Sequence, residues 1–385
     1  MAPRILLDTT AVPADRGGLG RYVDGLLTAL HAQGADLAVA CQRADQERYE
    51  RLVPGTRIVS GPPGLAHRAT RLAWEQTGLP HVAASVGADV IHLPTYTMPV
   101  SASLPTVVTI HDVTLFAEPG KHDPVRTTYI KSATRTAARR ATRLIAPSRA
   151  TRDELVRLLG ADPSHIDVAY HGVDHEVFHR PAEPEIKQVS DRLGLHGRPY
   201  IAYLGALEPR KNVPNLIRGW ARACAGLPDP PALVLAGGGG WDDEVDAAIA
   251  AVPPQLRLLR PGYLSWSSLP GFFGGALLVA LPSLGEGFGL PVLEAMSCGA
   301  PVLTTRRGPL PEVGGEAVAY TTPDPDGIAS ALAKLIADPV RRASLAEAAQ
   351  ARSHEFSWTE SARAHIASYD KAVEEHRTSQ GSRTH

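Results

Sequence analysis

Two glutamates, Glu286 and Glu294, stand eight positions apart in the segment EGFGLPVLE and are the first residues whose types and spacing could carry chemistry. The first carboxylate lies among glycines and the second lies inside an apolar run. Such a pair could act as a general acid and base, as ligands for a metal ion, or as two hydrogen-bond acceptors for one bound molecule.

The residues around the two glutamates favour binding of a molecule. A strand pattern, Ala276–Leu281, leads into glycines at positions 285, 287 and 289, and a helix is predicted from about Leu290. Backbone N–H groups of such a loop can approach a phosphate or sugar oxygen closely, and the helix start adds partial positive charge. A plain tight turn is the alternative interpretation of the glycines alone. A carboxylate on the apolar helix needs a hydrogen-bond partner, and carboxylates accept hydrogen bonds from sugar hydroxyls well. We therefore predict that the two glutamates bind two polyols, one on each side of a diphosphate.

Length and composition place these residues in a soluble two-domain protein. A chain of 385 residues predicts two domains of roughly 150–200 residues each. Hydrophobic residues make up 44% and the net charge is −1 at pH 7, so nothing predicts a nucleic-acid partner. Cys41, Cys224 and Cys298 lie far apart, which predicts a reducing, cytoplasmic location. The N-terminus predicts a strand rather than a signal peptide, and no apolar stretch approaches the roughly 20 residues of a membrane span.

Short β-rich runs alternate with helical patterns along the chain. One series begins at Arg4–Leu7 and a second at Tyr200–Leu204, which predicts an α/β fold with two doubly wound, Rossmann-like domains. A polar stretch with Pro181 and Pro184 predicts the seam between them. The predicted segments are an N-terminal domain over 1–180, a linker over 181–198, a C-terminal domain over 199–355, a helix over 356–375 and a disordered tail over 376–385.

Five segments, in order, resemble motifs of one family. EGFGLPVLEAMSCGAPV resembles the signature of the retaining glycosyltransferases of family 4, in which seven residues separate two glutamates. The other segments are GGLGRYVDGLL (Gly17–Leu27), TIHDV (Thr109–Val113), YHGVDHEVFHRP, with His171 where the family has asparagine, and YLGALEPRKN (Tyr203–Asn212). The resemblance spans nearly the whole chain. It implies the GT-B architecture, in which two Rossmann-like domains face a central cleft and the last helix crosses back to the N-terminal domain.

The resemblance also implies a role for each matching residue. Glu286 bonds the hydroxyls of the transferred sugar and Glu294 bonds the nucleotide ribose. Lys211, with Arg210, neutralises the diphosphate as it leaves, and His111 contacts the sugar near the reacting carbon. The remaining donor-binding residues are Gly17, Gly18, Gly287, Phe288, Gly289 and Leu290.

The implied reaction moves a hexosyl group from a nucleotide-diphosphate sugar to a hydroxyl of a saccharide, lipid-linked or small-molecule acceptor, with retention. Many members carry an arginine after the glycine that matches Gly205, where this chain has Ala206, so Arg210 is the expected substitute. Because the family lacks an accepted protein nucleophile, the leaving phosphate takes the acceptor's proton while the cations stabilise its charge. GALEPRKN resembles bacterial polysaccharide mannosyltransferases, which favours GDP-mannose. The alternatives are a UDP-glucose or UDP-N-acetylglucosamine donor, a sugar-nucleotide epimerase, and a non-catalytic GT-B scaffold.

Two further patterns suggest metal or dinucleotide binding and are better explained otherwise. His171, His175 and His179 recur every four residues, as zinc ligands on a helix do, but Gly172 and Pro181 predict a loop. The run Gly237–Gly240 lacks the spacing of a dinucleotide fingerprint and predicts a loop near the nucleotide base. The family resemblance likewise implies that neither a metal ion nor another cofactor is needed.

A basic helix is predicted before LIAPS, with Lys131, Arg135, Arg139, Arg140 and Arg143 on it. One interpretation of segment 131–143 is a dock for anionic lipid or a phosphorylated acceptor, giving weak peripheral contact at the inner membrane face. The other interpretation, which we favour, is a solvated helix face.

Overall fold

The computed structural model describes residues 2–117 and 124–381, which fall into two compact units. The first unit is formed by Met1–Gly172 together with Ser357–His385, and the second is formed by Val173–Phe356. Within the described residues each unit contains one parallel sheet whose strands alternate with helices. The prediction of an α/β protein with two doubly wound, Rossmann-like domains is therefore confirmed.

The sheet of the first unit has seven strands in the described ranges. They are β1 (Ile5–Asp8), β2 (Leu37–Cys41), β3 (Arg57–Ser60), β4 (Val90–Leu93), β5 (Thr106–Thr109), β6 (Arg143–Ala146) and β7 (Ile166–Val168). The helices between them are α1 (Gly17–Ala32), α2 (Gln46–Leu52), α3 (Arg68–Val86), α4 (Thr114–Ala117), α5 (Pro124–Arg140) and α6 (Arg149–Leu159). The strands lie in the order β3-β2-β1-β4-β5-β6-β7, so the course of the chain reverses between β1 and β4.

Both faces of this sheet are covered, which explains why its five inner strands are buried at every position rather than at alternate ones. Successive side chains of a strand point to opposite faces. Ile5 and Leu7 of β1 accordingly lie in the core that α1 covers, whereas Leu6 lies in the core that α3 covers. A parallel sheet buried on both faces is typical of doubly wound folds.

The second unit contains a six-stranded sheet among the residues described. Its strands are β8 (Tyr200–Leu204), β9 (Ala232–Ala236), β10 (Leu258–Gly262), β11 (Leu278–Leu281), β12 (Val302–Thr305) and β13 (Ala319–Thr321), in the order β10-β9-β8-β11-β12-β13. Its helices are α7 (Glu183–Arg192), α8 (Val213–Ala223), α9 (Glu244–Ala250), α10 (Leu269–Gly274), α11 (Leu290–Ser297), α12 (Leu310–Gly314), α13 (Pro325–Ala337) and α14 (Pro339–Ser353).

The predicted linker over 181–198 is corrected by the structure, because this stretch contains α7 and belongs to the second unit. Pro184 lies in the first turn of α7, where a proline favours helix initiation rather than breaking it. The Glu185 carboxylate accepts the Ala182 backbone N–H at 2.8 Å and thereby caps the helix. Val189 is buried, and α7 packs against α10. The boundary between the units lies instead at residues 172 and 173.

The last helix, α15 (Trp358–Gly381), is grouped with the first unit and packs against α1. The Ser357 hydroxyl accepts the Glu360 N–H at 3.1 Å, which caps the helix start. Tyr369 and Ala372 are fully buried in the core that α1 covers. The predicted disordered tail over 376–385 needs correction, because the helix continues to Gly381, while residues 382–385 lie outside those described.

Candidate active site

The loops after β8 and β11 carry the predicted cations and the predicted sugar-binding carboxylate. β8 is the first strand of its sheet in the chain, yet it lies in the middle, between β9 and β11. The course of the chain therefore reverses there, and doubly wound sheets bind ligands at the carboxyl ends of strands beside such a reversal. Lys211 follows β8 and Glu286 follows β11, so residues 75 positions apart meet at this edge.

The structure joins Lys211, Arg210 and Glu286 in one ion-pair network. The Lys211 ammonium donates to Glu286 Oε1 at 2.5 Å, and Arg210 Nη1 donates to Glu286 Oε2 at 2.9 Å. Ser283 Oγ donates to Glu286 Oε1 at 2.7 Å, and Glu208 accepts from Arg210 Nε at 2.7 Å. The side chains of Lys211 and Glu286 are only 10% and 11% exposed, so water screens this pair weakly. We refer to Arg210, Lys211, Ser283 and Glu286 as the cation–carboxylate cluster.

The charge states of this cluster follow from burial and from its neighbours. Burial acts to raise the pKa of Glu286, but Lys211 and Arg210 outweigh it and lower the pKa to about 2. Burial and the nearby Arg210 lower the pKa of Lys211, and Glu286 opposes that shift. At neutral pH Glu286 is ionised and accepts hydrogen bonds only, so it has no proton to give to a leaving group.

Asn212 holds the loop that carries the cations, a function that the sequence alone did not assign to it. Its backbone adopts the left-handed conformation with φ +60°, which asparagine tolerates better than most residues. Its side-chain amide donates to the carbonyls of Pro282, at 3.1 Å, and Pro323, at 2.7 Å. Leu284 N–H also donates to the Arg210 carbonyl at 2.7 Å. These bonds tie together the loops after β8, β11 and β13.

Glu294 lies in α11 and is 2% exposed, as its position in an apolar run predicts. Gly289 is the N-cap residue just before that helix, with φ +101°, and a Cβ there would come within 2.9 Å of Leu310. Backbone conformation and packing therefore explain this glycine. Phe288 is 4% exposed and packs edge-on against Phe356. Gly287 and Leu290 flank these residues in the same turn, and the donor-binding roles of all of them stay predictions.

Gly17 and Gly18 open α1 in the first unit. Gly17 has φ +44°, which explains a glycine there, whereas a Cβ on Gly18 would meet no described atom within 4 Å. Arg16, just before them, also has a positive φ, of +57°. Its guanidinium pairs with Asp24 and with Asp45, which fixes the turn. A backbone held open in this way lets a ligand approach the N–H groups at the helix start.

His111 follows β5, at the carboxyl edge of the first sheet. Its Nε2 lies 2.9 Å from the Pro94 carbonyl oxygen, and its ring stacks edge-on against Tyr22, with centroids 4.8 Å apart. Burial lowers the pKa of His111, and the bond to Pro94 partly offsets that shift. The ring is therefore neutral at pH 7. His111, Gly17 and Gly18 belong to the first unit, and the cation–carboxylate cluster and Glu294 belong to the second.

The histidines that recur every four residues lie in a loop, as predicted. His171 packs against Tyr22 and Trp358, and His175 bonds the Ser297 hydroxyl at 2.9 Å. In the described ranges no group of three or more histidine, cysteine, aspartate or glutamate side chains could hold a metal ion. Independence of metal stays a prediction.

The glycine run 237–240 has a packing explanation. A Cβ on Gly237 would come within 2.3 Å of the Gly205 carbonyl oxygen, and one on Gly240 within 1.9 Å of the Leu207 carbonyl oxygen. Both glycines let the loop after β9 lie against the loop after β8, which bears the cations. The interpretation as a dinucleotide fingerprint is unnecessary.

The basic helix α5 ends at Arg140, before the end of the predicted segment 131–143, so the placement of Arg143 on this helix was wrong. Arg143 begins β6 rather than lying on α5, is 4% exposed, and pairs with Asp167 and Glu375. Lys131 and Arg135 lie over the Phe116 ring, with their charges 5.8 and 5.1 Å from its centre. Across the described part of the chain, every helix is too short or too polar to cross a membrane.

Comparison with known proteins matches both units to glycosyltransferases. The family model for Glycosyltransferase Family 4 matches residues 16–177, and the model for glycosyl transferases group 1 matches residues 186–352. A D-inositol 3-phosphate glycosyltransferase of Mycobacterium avium is 30% identical over 94% of this chain and 91% of its own length. An O-antigen chain mannosyltransferase B of Escherichia coli is 30% identical over 66% of each chain.

Solved structures share the fold. Anabaena HepE, in complex with UDP and glucose, superposes with a TM-score of 0.74 and 22% identity, over 94% of this chain and 97% of its own. With both halves of the chain matched in order and a relative aligned along nearly its whole length, this protein is an enzyme of glycosyltransferase family 4, a hexosyltransferase with the GT-B architecture.

Proposed function

We propose that this enzyme transfers a hexosyl group, with retention, from a nucleotide-diphosphate sugar to an acceptor hydroxyl, and that mannosyl transfer from GDP-mannose is its reaction. The observation that carries the proposal is the placement of Lys211 and Arg210 beside Glu286 at the chain reversal of the second sheet. Two cations in a weakly screened position stabilise the charge that develops on a departing diphosphate.

The ionisation of Glu286 limits its chemical role. A carboxylate with a pKa of about 2 is neither a proton donor nor an effective base at neutral pH. Glu286 therefore accepts hydrogen bonds from sugar hydroxyls and orients the sugar. The acceptor's proton goes to the leaving phosphate, and the developing charge is met by the cations. An epimerase needs a side chain that exchanges protons with the sugar, and Glu286 does not meet that need.

The donor and the acceptor are proposed from the relatives. The mannosyltransferase of E. coli supports mannose, and the UDP complex of Anabaena HepE supports a UDP-sugar as the second candidate. The D-inositol 3-phosphate glycosyltransferase adds a phosphorylated polyol to the acceptors worth testing, alongside saccharide and lipid-linked ones. We propose a cytoplasmic enzyme, supported by three buried free cysteines. Weak membrane contact through α5 is an additional proposal, supported by the exposed Arg139 and Arg140.

A thermal-shift panel of nucleoside diphosphates and their sugars tests the donor class. A ligand at 100 times its Kd stabilises the native state by about 2.7 kcal/mol, which raises Tm by roughly 5–10 °C for a domain of this size. We expect that shift with GDP and GDP-mannose. A shift with UDP and UDP-glucose alone transfers the assignment to the second candidate, whereas no shift with any nucleotide contradicts glycosyl transfer.

Product analysis tests the reaction itself. With GDP-mannose and a panel of saccharide, polyol phosphate and lipid-linked acceptors, we expect an α-linked product, since GDP-mannose is an α-glycoside and the configuration is retained. Activity in excess chelator tests independence of metal. An inverted linkage, or loss of activity on chelation, contradicts the corresponding part of the proposal.

A further inference from the structure

The Glu286 carboxylate occupies an anion site that is built from three donors. Lys211 Nζ, Arg210 Nη1 and Ser283 Oγ all donate to it, at 2.5, 2.9 and 2.7 Å. A carboxylate is planar and a phosphate is tetrahedral, but both carry negatively charged oxygens that accept charge-assisted hydrogen bonds. They therefore present the same chemistry to such donors. The cations assigned to the diphosphate are thus already bonded to an anion of the protein itself.

We propose that the Glu286 carboxylate stands in the place of the donor's diphosphate and that the two exchange partners on binding. The diphosphate takes Lys211 and Arg210, and the released Glu286 keeps the Ser283 hydroxyl and turns to the hydroxyls of the sugar. This inference rests on the proposed function and adds Ser283 to it as a positioning residue.

The charges of the cluster require an exchange rather than simple addition. Arg210 and Lys211 face two carboxylates, those of Glu208 and Glu286, so the loop carries no excess positive charge to attract a diphosphate. If Glu286 stayed in place, its ionised carboxylate would lie beside the incoming phosphates in a poorly screened site, where like charges repel strongly. Release of Glu286 removes that repulsion and frees both cations together.

Ser283 is the partner that Glu286 can keep. The two residues are three positions apart in one loop, so their bond needs no change in the rest of the site. The loop itself is held from outside the cluster, because Thr305 Oγ1 donates to the Ser283 carbonyl at 2.6 Å and Leu284 N–H donates to the Arg210 carbonyl. Ser283 thus provides a fixed pivot for the carboxylate while the cations change partner.

The exchange makes an unusual prediction for Glu286→Gln. A neutral amide binds the cations less tightly than a carboxylate, so the variant leaves them available to a nucleotide. If Glu286 holds the cations in nine of ten free molecules, its removal tightens the Kd for the nucleoside diphosphate about tenfold. Turnover falls at the same time, because the sugar loses a charged acceptor. Titration calorimetry with GDP and with UDP measures the Kd, and unfolding without ligand checks that the variant is folded.

Glu208→Gln is the matched control. It also removes one negative charge next to Arg210, but the Glu208 carboxylate bonds Arg210 Nε rather than Nη1, so the substitution leaves the bonds of Glu286 intact. We expect a gain in affinity of less than about threefold for this variant. Equal tightening in Glu208→Gln and Glu286→Gln overturns the inference, since net charge would then explain both.

Ser283→Ala tests the positioning role of Ser283 separately from the exchange of partners by the cations. We expect a fall in kcat of about tenfold with the Kd for the nucleoside diphosphate changed less than twofold, because the cations are not affected. A loosened Kd with unchanged kcat contradicts the role assigned to Ser283.

The outcomes distinguish this inference from the proposed function. If wild-type protein binds the nucleotide and Glu286→Gln binds it no more tightly, the exchange is refuted and the proposed function stands. If neither protein binds any nucleoside diphosphate, both are refuted.

Discussion

One hydrogen bond at His111 decides which ring nitrogen can serve a ligand. The Pro94 carbonyl oxygen, 2.9 Å from Nε2, can only accept, so Nε2 carries the proton of the neutral ring. Burial lowers the pKa of His111, which keeps the second nitrogen, Nδ1, without a proton. Nδ1 is therefore an acceptor and can receive a sugar hydroxyl. It cannot donate to a phosphate.

Two amide substitutions at His111 test this assignment. The amide of asparagine lies near the position of Nδ1, and that of glutamine lies near Nε2. We expect His111→Gln, which can preserve the bond to Pro94, to lower kcat by about 100-fold, and His111→Asn to lower it by less than about tenfold. Steady-state kinetics at saturating donor measures both. The reverse order would show that Nε2, not Nδ1, serves the substrate.

At the scale of elements, Asn212 joins the loops after β8, β11 and β13. Replacement by alanine removes the hydrogen bonds to the buried Pro282 carbonyl and to the partly buried Pro323 carbonyl, and it places an unfavourable residue at φ +60°. We expect Asn212→Ala to lower the free energy of unfolding by about 2–4 kcal/mol and the affinity for nucleoside diphosphate along with it. Urea unfolding and calorimetry measure the two quantities.

Asn212→Gly is the matched control for that substitution, since glycine tolerates the left-handed backbone but lacks the amide. We expect its loss of stability to be smaller by about 1 kcal/mol. Equal losses in the two variants would show that the backbone conformation contributes nothing.

α15 is an element that the first unit requires although it comes from the far end of the chain. Three residues of this helix, Ala362, Tyr369 and Ala372, are completely buried in the first unit. Tyr369 Oη bonds His92 Nδ1 at 2.8 Å. Burial of each large side chain stabilises a fold by about 1.5–3 kcal/mol, and total stability is only about 5–15 kcal/mol. We expect truncation after Phe356 to abolish cooperative unfolding of the first unit.

Truncation after His376 is the control, because it keeps all three buried residues and the Glu375 carboxylate that pairs with Arg143. We expect its unfolding midpoint in urea to match that of the full chain. Fluorescence of Trp74, which both truncated chains keep, reports on the first unit, and that of Trp220 reports on the second. A first unit that still unfolds cooperatively without α15 would contradict this requirement.

For the molecule as a whole, periodicity was enough to predict both sheets. Glu286 could be named because it lies in a glycine loop at the carboxyl end of an apolar strand, whereas Lys211 was implied by the resemblance of YLGALEPRKN to a family motif. The roles of both residues stay predictions. The sequence could not show that these two groups bond each other, since contacts between loops depend on the sheet order. It also failed at α7, where Pro184 was interpreted as a break although proline begins helices as readily as it ends them.

The sequence also could not predict a chain of hydrogen bonds through the core of the first unit. Tyr369 Oη donates to His92 Nδ1, and His92 Nε2 donates to Thr109 Oγ1. Thr109 donates to Tyr22 Oη, which donates to His365 Nε2, and His365 Nδ1 donates to the Ser361 carbonyl. Burial lowers the pKa of both histidines, so both rings are neutral. Because a carbonyl ends the chain, every direction is then set. A proton added to either ring would oppose a donor of the same chain.

Two buried groups give the first unit opposite responses to pH. Burial lowers the pKa of His365 to about 4, below its unfolded value near 6.5, so the stability that it contributes is lost as pH falls from 6.5 toward 4. Burial raises the pKa of Glu75 to about 7, above its unfolded value near 4.5, so the stability that it contributes is gained as pH falls through the same range. Between pH 7 and pH 5 each of these two contributions amounts to about 2 kcal/mol, with opposite sign. Burial also lowers the pKa of His92, His111 and His171, and these histidines add to the response of His365.

Single variants should separate the two responses. Relative to wild type, we expect the free energy of unfolding of Glu75→Gln to fall by about 2 kcal/mol more between pH 7 and pH 5, because the response of Glu75 is removed. We expect that of His365→Gln to fall by about 2 kcal/mol less than wild type, so the wild-type slope lies between those of the two variants. Urea unfolding monitored at Trp358, at pH 7, 6 and 5, measures these slopes, while Trp220 follows the second unit, which contains neither group. Parallel slopes in the two variants would mean that the buried network does not set the pH response of this unit.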